Sequence, residues 1–165
     1  MTLAARPQSE SVTEMTEYVL PQHANAFNNV FGGQIMAWVD LCAAICAQRH
    51  CGGHAVTAFI DDLKFERPVR VGEVVLLRAR ISAVFHTSME IEIDVQGEDP
   101  RSGTRWPCVN ARVVFVALDR QSLRPTPVPP LALDSPEVRA SQAAGEARRS
   151  QRLGGRRAKA EADCR

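Results

Sequence analysis

The sequence lacks any hydrophobic run long enough to cross a membrane, since none approaches the roughly 20 apolar residues that a spanning helix needs. The opening stretch MTLAARPQSESVTEM has no apolar core of the kind found in secretory signals, so no such signal is predicted. The formal net charge is only +1, which gives no indication of nucleic acid or an acidic surface as a partner. The five cysteines are odd in number and irregularly spaced, which indicates reduced thiols in a cytoplasmic protein rather than a disulfide framework.

Several chemical signatures are also missing. There is no serine nucleophile elbow, no phosphate-binding loop, no dinucleotide fingerprint and no internal repeat. Cys42, Cys46 and His50 share one helical face, with Cys51 and His54 close by in sequence, but their spacing matches no usual zinc signature. Cysteine in an apolar helix is usually a core residue, so no metal site is predicted.

What remains is typical of a globular protein: 165 residues, of which 45% are hydrophobic and 24% charged. Residues 1–14 are predicted to be disordered and residues 15–130 to form one domain, which ends in the proline-rich stretch RPTPVPP. Residues 131–165 are predicted to be a basic, partly helical tail. A solvated surface helix followed by a loose end is favoured there over a specific binding role, with Gly154 and Gly155 interrupting the helix.

The sequence of this domain predicts an α+β fold. A short strand within TEMTEYVLP and a turn-rich loop come first, followed by a helix from Gly33 to Arg49 that is apolar on nearly every side and therefore buried. Glycine in CGGH suits the helix C-cap. About four antiparallel strands follow, and one of them, SMEIEIDVQ, alternates apolar and acidic residues at period two.

Asp40 is the residue that physical chemistry singles out first, because a carboxylate is rarely buried without a partner. It either serves a cavity or pairs structurally at a helix or subunit interface. Gly32 and Gly33 lie at the expected start of the same helix, where free N–H groups can approach an oxyanion, although a plain tight turn has the same sequence. Asp40 follows Gly33 by about two turns, or ~10 Å, so both could face one cavity. Asn25, in the turn-rich loop, means little by itself.

The stretch VLPQHANAFNNVFGGQIMAWVD resembles the opening of the hotdog-fold acyl-CoA thioesterases of the acyl-CoA hydrolase family. VTAFIDDLKFERPVRVGE, AVFHTSMEIEIDVQGED and ARVVFVALD agree with later family motifs in the same order. The resemblance covers residues 15–130 and is similar in detail to the cytosolic enzymes with two tandem hotdog domains. This chain has the single domain of the bacterial members.

The resemblance implies an antiparallel sheet of five or six strands wrapped around one long buried helix. It also implies a cytoplasmic homodimer joined edge to edge, with further assembly into a hexamer, and active sites at the dimer interface. Asn25 would come from one subunit and Asp40 from the other. Asp40 would act as general base on a water, or as a nucleophile that forms an anhydride, while the N–H groups near Gly32 and Gly33 polarise the thioester carbonyl.

Further residues are assigned to substrate binding by the same resemblance. Phe31 and Thr57 would line the acyl or pantetheine channel, and Ser88 would lie near the pantetheine or phosphates of CoA. Arg67, with Arg70 and Lys64 as other candidates, would meet the CoA phosphates. No cofactor or metal is expected, because CoA is part of the substrate and product.

One position departs from the family pattern. The glycine expected three residues after Asn25 is Asn28 here, and Asn is the best substitute for glycine if the backbone is left-handed.

Two other functions stay open on the same fold. A non-catalytic acyl-CoA sensor is one, although the presence of both Asn25 and Asp40 favours catalysis. A dehydratase acting on acyl-carrier protein is the other, with His23 near the position where such enzymes have a histidine.

Overall fold

The computed structural model describes residues 3–163, without the side chains of Asp62 and of residues 155–163. In chain order the elements are a 3-10 turn at Gln8–Glu10, β1 (Thr13–Tyr18), a 3-10 turn at Pro21–His23, α1 (Gly32–Cys51), β2 (His54–Phe65), β3 (Val74–Val84), β4 (Ser88–Asp99), β5 (Thr104–Leu118) and α2 (Pro136–Asp163). The strands form a curled five-stranded antiparallel sheet in the order β1-β3-β4-β5-β2, which confirms the predicted hotdog fold.

The core lies between α1 and the inner face of the sheet. The period-two pattern of β4 is confirmed, because its alternate apolar side chains are fully buried while Glu92 and Asp94 point outward. Phe115 of β5 and Ile81 of β3 pack in the same core. The inward residues of β4 are Met89, Ile91, Ile93 and Val95.

The C-terminus of α1 has the glycine cap that the sequence predicts. Gly52 has φ +67° and donates its N–H to the carbonyl of Gln48 at 2.8 Å, so the chain leaves the helix in the left-handed conformation that glycine adopts freely. The Arg6 guanidinium donates to the carbonyls of Arg49 and His50 at 2.9 and 3.0 Å, which satisfies two acceptors that a helix end leaves free.

Three residues of the cysteine and histidine cluster, Cys42, Cys46 and His50, are buried in this core, whereas His54 is exposed. Burial raises the pKa of the Cys42 thiol to about 11 and that of Cys46 to about 12, so both stay protonated. His50 is fully buried, with Ser11 Oγ 3.2 Å from Nδ1 and the Pro129 carbonyl 3.1 Å from Nε2. Among the side chains that the structure describes, no three His, Cys, Asp or Glu residues are arranged to hold a metal ion; Cys164 lies outside them.

The segment expected to be disordered, residues 1–14, has structure in its described part. Residues 3–14 contain the first 3-10 turn and the start of β1. Gln8 donates its side-chain amide to the Ile81 carbonyl at 2.7 Å, and Arg6 forms a parallel bridge with Leu131. Polar residues that look like a solvated tail in sequence therefore find backbone acceptors on the domain.

The C-terminal helix packs on the outer face of the sheet, whereas the sequence favoured a solvated tail. Gly145 lies against Ala83 of β3, so closely that a Cβ at position 145 would come within 2.3 Å of the Ala83 Cβ. Glu90 of β4 is fully buried beneath α2 and pairs with Arg148 and Arg152. α2 also continues through the two glycines expected to interrupt it.

None of the helices in the described residues has the length and hydropathy needed to span a membrane.

Candidate active site

Asp40 is held by a hydroxyl on the neighbouring strand. It is half-buried on α1, and Thr57 Oγ1 of β2 donates to its Oδ1 at 2.6 Å. No other protein hydrogen bond reaches the carboxylate among the described residues, so Oδ2 is available to a further donor. A short charge-assisted hydrogen bond of this kind fixes the orientation of a carboxylate without neutralising it.

A bulge in β2 brings Thr57 to Asp40. The register of β2 against β5 shifts between Thr57, opposite Phe115, and Phe59, opposite Val114. Thr57 therefore shares the inner face with Phe115, whereas Ala58 and Phe59 turn to the outer face. The sequence placed Thr57 only in a substrate channel, and its pairing with Asp40 depends on this strand irregularity, which has no sequence signal of its own.

The start of α1 offers backbone donors. Gln34 and Ile35 are the first residues whose N–H groups return to the Phe31 carbonyl, which leaves the N–H groups of Gly32 and Gly33 at the positive end of the helix dipole. A Cβ on Gly33 would come 2.6 Å from the Phe31 ring, and one on Gly32 would come 3.4 Å from the Phe65 ring. The paired glycines therefore leave room for aromatic rings beside the helix terminus.

Asn25 shapes the loop that leads to the glycines. Its Oδ1 accepts from the N–H of Phe27 at 2.9 Å and of Asn29 at 3.3 Å, while its side chain is exposed and its amide nitrogen stays available. Asn28 has φ +60°, so the backbone at the position of the family glycine is left-handed, the case in which Asn is the best substitute. Phe31 donates its N–H to the His23 carbonyl at 2.8 Å, so the Asn25 loop and the start of α1 form one unit.

One stripe of α1 remains uncovered, although the sequence predicted a buried helix. Its residues recur at intervals of three and four, include Asp40, and run beside exposed apolar side chains of β2. Met36 is 40% exposed, Leu41 51%, and Phe65 of β2 49%. The single chain thus leaves an apolar surface around Asp40. The stripe consists of Gly33, Met36, Ala37, Asp40, Leu41, Ala44 and Gln48.

Ser88 and Arg67 lie in different cavities. Ser88, the first residue of β4, lines a cavity of about 370 Å³ between the sheet and α2. Arg67, in the connection from β2 to β3, lies 5.2 Å from the ring centroid of Trp106 in another groove that it shares with Arg70. The structure therefore brings Asp40 to Thr57 and Phe31 to Gly33, but it does not bring Ser88 and Arg67 together.

His23, the residue behind the dehydratase alternative, packs edge-on against Trp38 with ring centroids 5.1 Å apart. Its Nδ1 accepts from the Leu20 N–H at 3.2 Å, so the ring is held in the loop that precedes α1.

Comparisons with known proteins place the chain in a family. The model described as the thioesterase superfamily matches residues 27–104. The chain is 34% identical over 131 residues to the acyl-CoA thioester hydrolase YciA of Salmonella typhimurium. This alignment covers 78% of this chain and 96% of that protein. It is 38% identical over 104 residues to acyl-coenzyme A thioesterase 11 of Mus musculus, covering 63% of this chain and 18% of that one. The chain spans less than a fifth of the length of the mouse and rat thioesterases that it matches.

Solved structures show the same fold over nearly the whole chain. A hexameric acyl-CoA thioesterase in its apo form has a TM-score of 0.86 at 30% identity, covering 92% of this chain and 97% of that one. The acyl-CoA hydrolase of Staphylococcus aureus, solved with butyryl coenzyme A, coenzyme A and coenzyme A disulfide, has a TM-score of 0.83 at 28% identity, covering 95% and 94%.

Three further structures of the Staphylococcus aureus hydrolase carry an alanine in place of an asparagine, an aspartate or a threonine. In that protein the asparagine precedes the aspartate by 15 residues, and the aspartate precedes the threonine by 17. The fold, the family model and the similarity to YciA over almost all of its length agree: the chain belongs to the thioesterase superfamily, and acyl-CoA hydrolases are among its relatives.

Proposed function

We propose that this protein hydrolyses the thioester of fatty acyl-CoA to a free acid and CoA. The observation that carries the proposal is the Asp40 carboxylate, oriented by Thr57 and open on its second oxygen. Asn25, Asp40 and Thr57 are separated by 15 and 17 residues, the spacings of the three residues replaced in the Staphylococcus aureus structures. All three belong to the site in this proposal.

The working unit in this proposal is a homodimer that assembles further into a trimer of dimers. The uncovered stripe of α1 and the exposed apolar residues of β2 surround Asp40, and a contiguous apolar surface of this kind is typical of a subunit interface. A hexameric thioesterase has the same fold at 30% identity. The site then forms where Asp40 of one subunit meets Asn25 of the partner subunit.

The glycine donors also come from the partner in this arrangement. Within one chain, Gly33 and Asp40 are about two turns and ~10 Å apart along α1 and could face one cavity, but the link between Asn25 and Gly33 favours the glycines of the partner. Asn25 and Gly33 are part of one loop-and-helix unit. The loop that delivers the partner's Asn25 therefore delivers the partner's Gly32 and Gly33 N–H groups as well.

The chemistry follows from these positions. Asp40 Oδ2 takes a proton from water as the oxygen attacks the thioester carbon, and the glycine N–H groups stabilise the resulting oxyanion. The intermediate collapses, the C–S bond breaks, and the departing thiolate of CoA receives the proton from Asp40. Asn25 orients the water through its amide nitrogen. Direct attack by Asp40 to give an anhydride is the less favoured route.

CoA enters this reaction as part of the substrate and leaves as product, and we propose no further cofactor. A cytoplasmic location fits the reduced, buried cysteines. The partner's Phe31 would line the acyl channel beside the partner's glycines. Phe31 is 59% exposed, and its ring lies against Gly33 of its own chain.

A thiol-release assay over acyl-CoAs of two to eighteen carbons tests the activity. The purified wild type should turn over part of this series, and Asp40→Ala and Asn25→Ala should each lose at least ~100-fold, as expected for removal of a general base or its partner. No turnover by folded wild type on any chain length would refute the enzyme, and full activity in Asp40→Ala would refute the base.

Mixing the two inactive variants tests the shared site. A hybrid dimer of Asp40→Ala and Asn25→Ala has one intact site of two, and random exchange makes half of the dimers hybrid, so about a quarter of the wild-type activity should return. Exchange is verified by mass spectrometry of differently tagged subunits. If verified hybrids stay inactive, each site lies within a single chain.

A further inference from the structure

We propose that Arg152 of α2 is a positioning residue for the Asp40 site, because it fixes the part of β2 from which Thr57 reaches Asp40. The inference rests on the proposed function, since it concerns how the base of that reaction is oriented. Arg152 lies over the outer face of the sheet, whereas Asp40 lies under the inner face. The effect of Arg152 on the carboxylate is therefore transmitted through β2.

Arg152 joins the edge strand β2 to the middle of the sheet. Its Nη1 donates to Asp61 Oδ2 of β2 at 3.0 Å and to Glu90 Oε2 of β4 at 3.3 Å. Its guanidinium also lies 5.0 Å from the ring centroid of Phe59, again on β2. Because β5 lies between β4 and β2, this one side chain spans three strands. Only 22% of it is exposed, so solvent screens the pair with Asp61 less than it screens a surface pair.

The residues that Arg152 contacts lie between two irregularities of β2. The register against β5 shifts between Thr57 and Phe59 and shifts again between Asp61 and Lys64. Phe59 and Asp61 therefore bound a three-residue segment with a break in the ladder on each side. A bulge interrupts the ladder hydrogen bonds and bends the strand. The pairing with β5 consequently constrains this segment less than it would constrain a regular strand.

The core gives β2 little further support. None of the β2 side chains that the structure describes is buried, whereas Ile91 and Ile93 of β4 are fully buried. Among the described side chains, Arg152 makes the one ion pair between α2 and β2. Loss of this pair would leave the segment to the interrupted ladder alone.

The position of the segment matters because Thr57 lies directly before it. Thr57 Oγ1 donates to Asp40 Oδ1 at 2.6 Å. A displacement of about 1 Å along this bond would lengthen it to about 3.6 Å, where it is no longer a hydrogen bond. Misplacement of a catalytic group by about 1 Å can reduce a rate by as much as 10²-fold. A small movement of β2 at Asp61 is therefore enough to change the rate.

Asp61→Ala tests the proposal while α2 keeps its anchor, because Glu90 retains its hydrogen bonds from Arg148 and Arg152. In thiol release from an acyl-CoA, kcat should fall about tenfold while KM changes less than about twofold, since the loss concerns the base and not substrate binding. Glu98→Ala is the matched control. It removes a carboxylate of β4 that pairs with Arg105 and should leave kcat unchanged.

Two arginine variants separate positioning from docking. Arg152→Gln and Arg148→Gln each leave Glu90 with one arginine, but Arg148 has no hydrogen bond to β2 among the described side chains. Both variants should lose stability in urea, whereas the tenfold fall in kcat should occur in Arg152→Gln alone. An equal fall in kcat in both variants would assign the effect to the docking of α2 and overturn the proposal.

Thr57→Val decides whether the effect passes through the hydroxyl. In that background the hydrogen bond to Asp40 is already lost, so adding Asp61→Ala should reduce kcat no further. Full additivity of the two changes, or an unchanged kcat in Asp61→Ala, would overturn the proposal.

Failure of the proposed function gives a different result. If wild type releases no thiol from any acyl-CoA, the proposed function fails, and amide hydrogen exchange still reports on β2. Exchange between Thr57 and Asp61 should be faster in Asp61→Ala and Arg152→Gln than in wild type and Glu98→Ala. Equal exchange in all four proteins would show that Arg152 does not fix β2.

Discussion

Two carboxylates of this chain, Asp40 and Glu90, differ in their burial and in the number of hydrogen bonds that they accept. Asp40 lies on α1, half-buried, and accepts one hydrogen bond from Thr57. Glu90 lies on β4, fully buried under α2, and accepts from Ser82 at 2.9 Å and from both Arg148 and Arg152. All of its oxygens are occupied, whereas Asp40 keeps one oxygen open. The first arrangement suits proton transfer and the second suits docking, since buried charge is tolerated only when its partners are complete.

The two helices also differ in the interactions that hold them against the sheet. α1 packs through its buried apolar residues and leaves a stripe around Asp40 uncovered. Val138 is the one buried apolar side chain of α2 among those described, and the helix relies on close approach at Gly145 and on arginines. The inner helix therefore carries the carboxylate of the proposed site, and the outer helix is held largely by ion pairs.

The largest expected effect separates the two carboxylates by function. Asp40→Asn keeps the shape of the side chain but cannot take a proton, so kcat should fall 10²- to 10⁴-fold, the range for loss of a general base. The midpoint of urea unfolding should not fall, because a half-buried carboxylate with a single partner contributes little to stability. Stopped-flow thiol release and urea titration on the same preparations measure both quantities. A destabilised Asp40→Asn variant would mean that this carboxylate, like Glu90, is structural.

The second prediction concerns Glu90. Glu90→Gln leaves the charges of Arg148 and Arg152 without their buried counterion, and the free energy of unfolding should fall by about 2–3 kcal/mol. The cost is below that of a fully buried pair, since the arginine side chains keep 28% and 22% of their exposure. Glu14→Gln is the matched control: it breaks the exposed pair with Arg78 and should cost less than about 1 kcal/mol. Equal losses in the two variants would contradict the docking role of Glu90.

The pH dependence carries a definite sign. Burial raises the pKa of Glu90, but hydrogen bonds from Arg148, Ser82 and Arg152 outweigh it, and the net shift is below the ordinary value of 4.5. The stabilisation is therefore complete above about pH 4.5 and is lost as the pH falls through the lowered pKa. The difference in stability between wild type and Glu90→Gln should shrink in that acidic window.

The inner helix and the core strands could be predicted from the sequence, whereas the docking of α2 on the outer face of the sheet could not. α1, the alternation of β4, the Gly52 cap and the left-handed Asn28 follow from local patterns that act within a few residues. The docking of α2 has no such pattern, because it depends on arginines reaching Glu90, 58 residues away along the chain. In sequence those arginines look like solvated charge.

The candidate site shows the same difference between residues that the sequence reveals and contacts that depend on packing. Asp40 could be found because it breaks an apolar helix, and Asn25 because the loop resembles a family motif. The Thr57 to Asp40 hydrogen bond joins residues 17 apart through a bulge in β2. Arg149 of α2 lines the cavity beside Ser88 only because α2 docks on the sheet. Long-range packing decides both contacts, and local residue patterns do not encode it.

A third prediction tests how closely α2 approaches the sheet. Gly145→Ala adds a Cβ that would come within 2.3 Å of the Ala83 Cβ, so α2 must shift, and stability should fall by about 1–2 kcal/mol despite the better helix propensity of alanine. Gly154→Ala is the matched control on the same helix, since nothing lies within 4 Å of the added Cβ. It should stabilise the protein by up to about 1 kcal/mol. The same sign of change in both variants, measured by urea unfolding, would contradict docking at Gly145.

The smallest expected effect concerns His50, the buried histidine near the C-terminal end of α1. Burial lowers the pKa of His50 below 6.5, so the unfolded chain binds a proton more readily than the folded one. Stability from the neutral ring is complete above pH 6.5 and falls as the pH drops below that value, with a slope of at most about 1.4 kcal/mol per pH unit. Urea unfolding at pH 7.5 and 5.5 should show this loss in wild type. His50→Gln should remove the slope, and His86→Gln, on an exposed loop, should keep it. A wild-type slope that survives in His50→Gln would assign the titration to another group. A slope that vanishes there would assign the titration to His50, whose buried ring contacts Ser11 and Pro129.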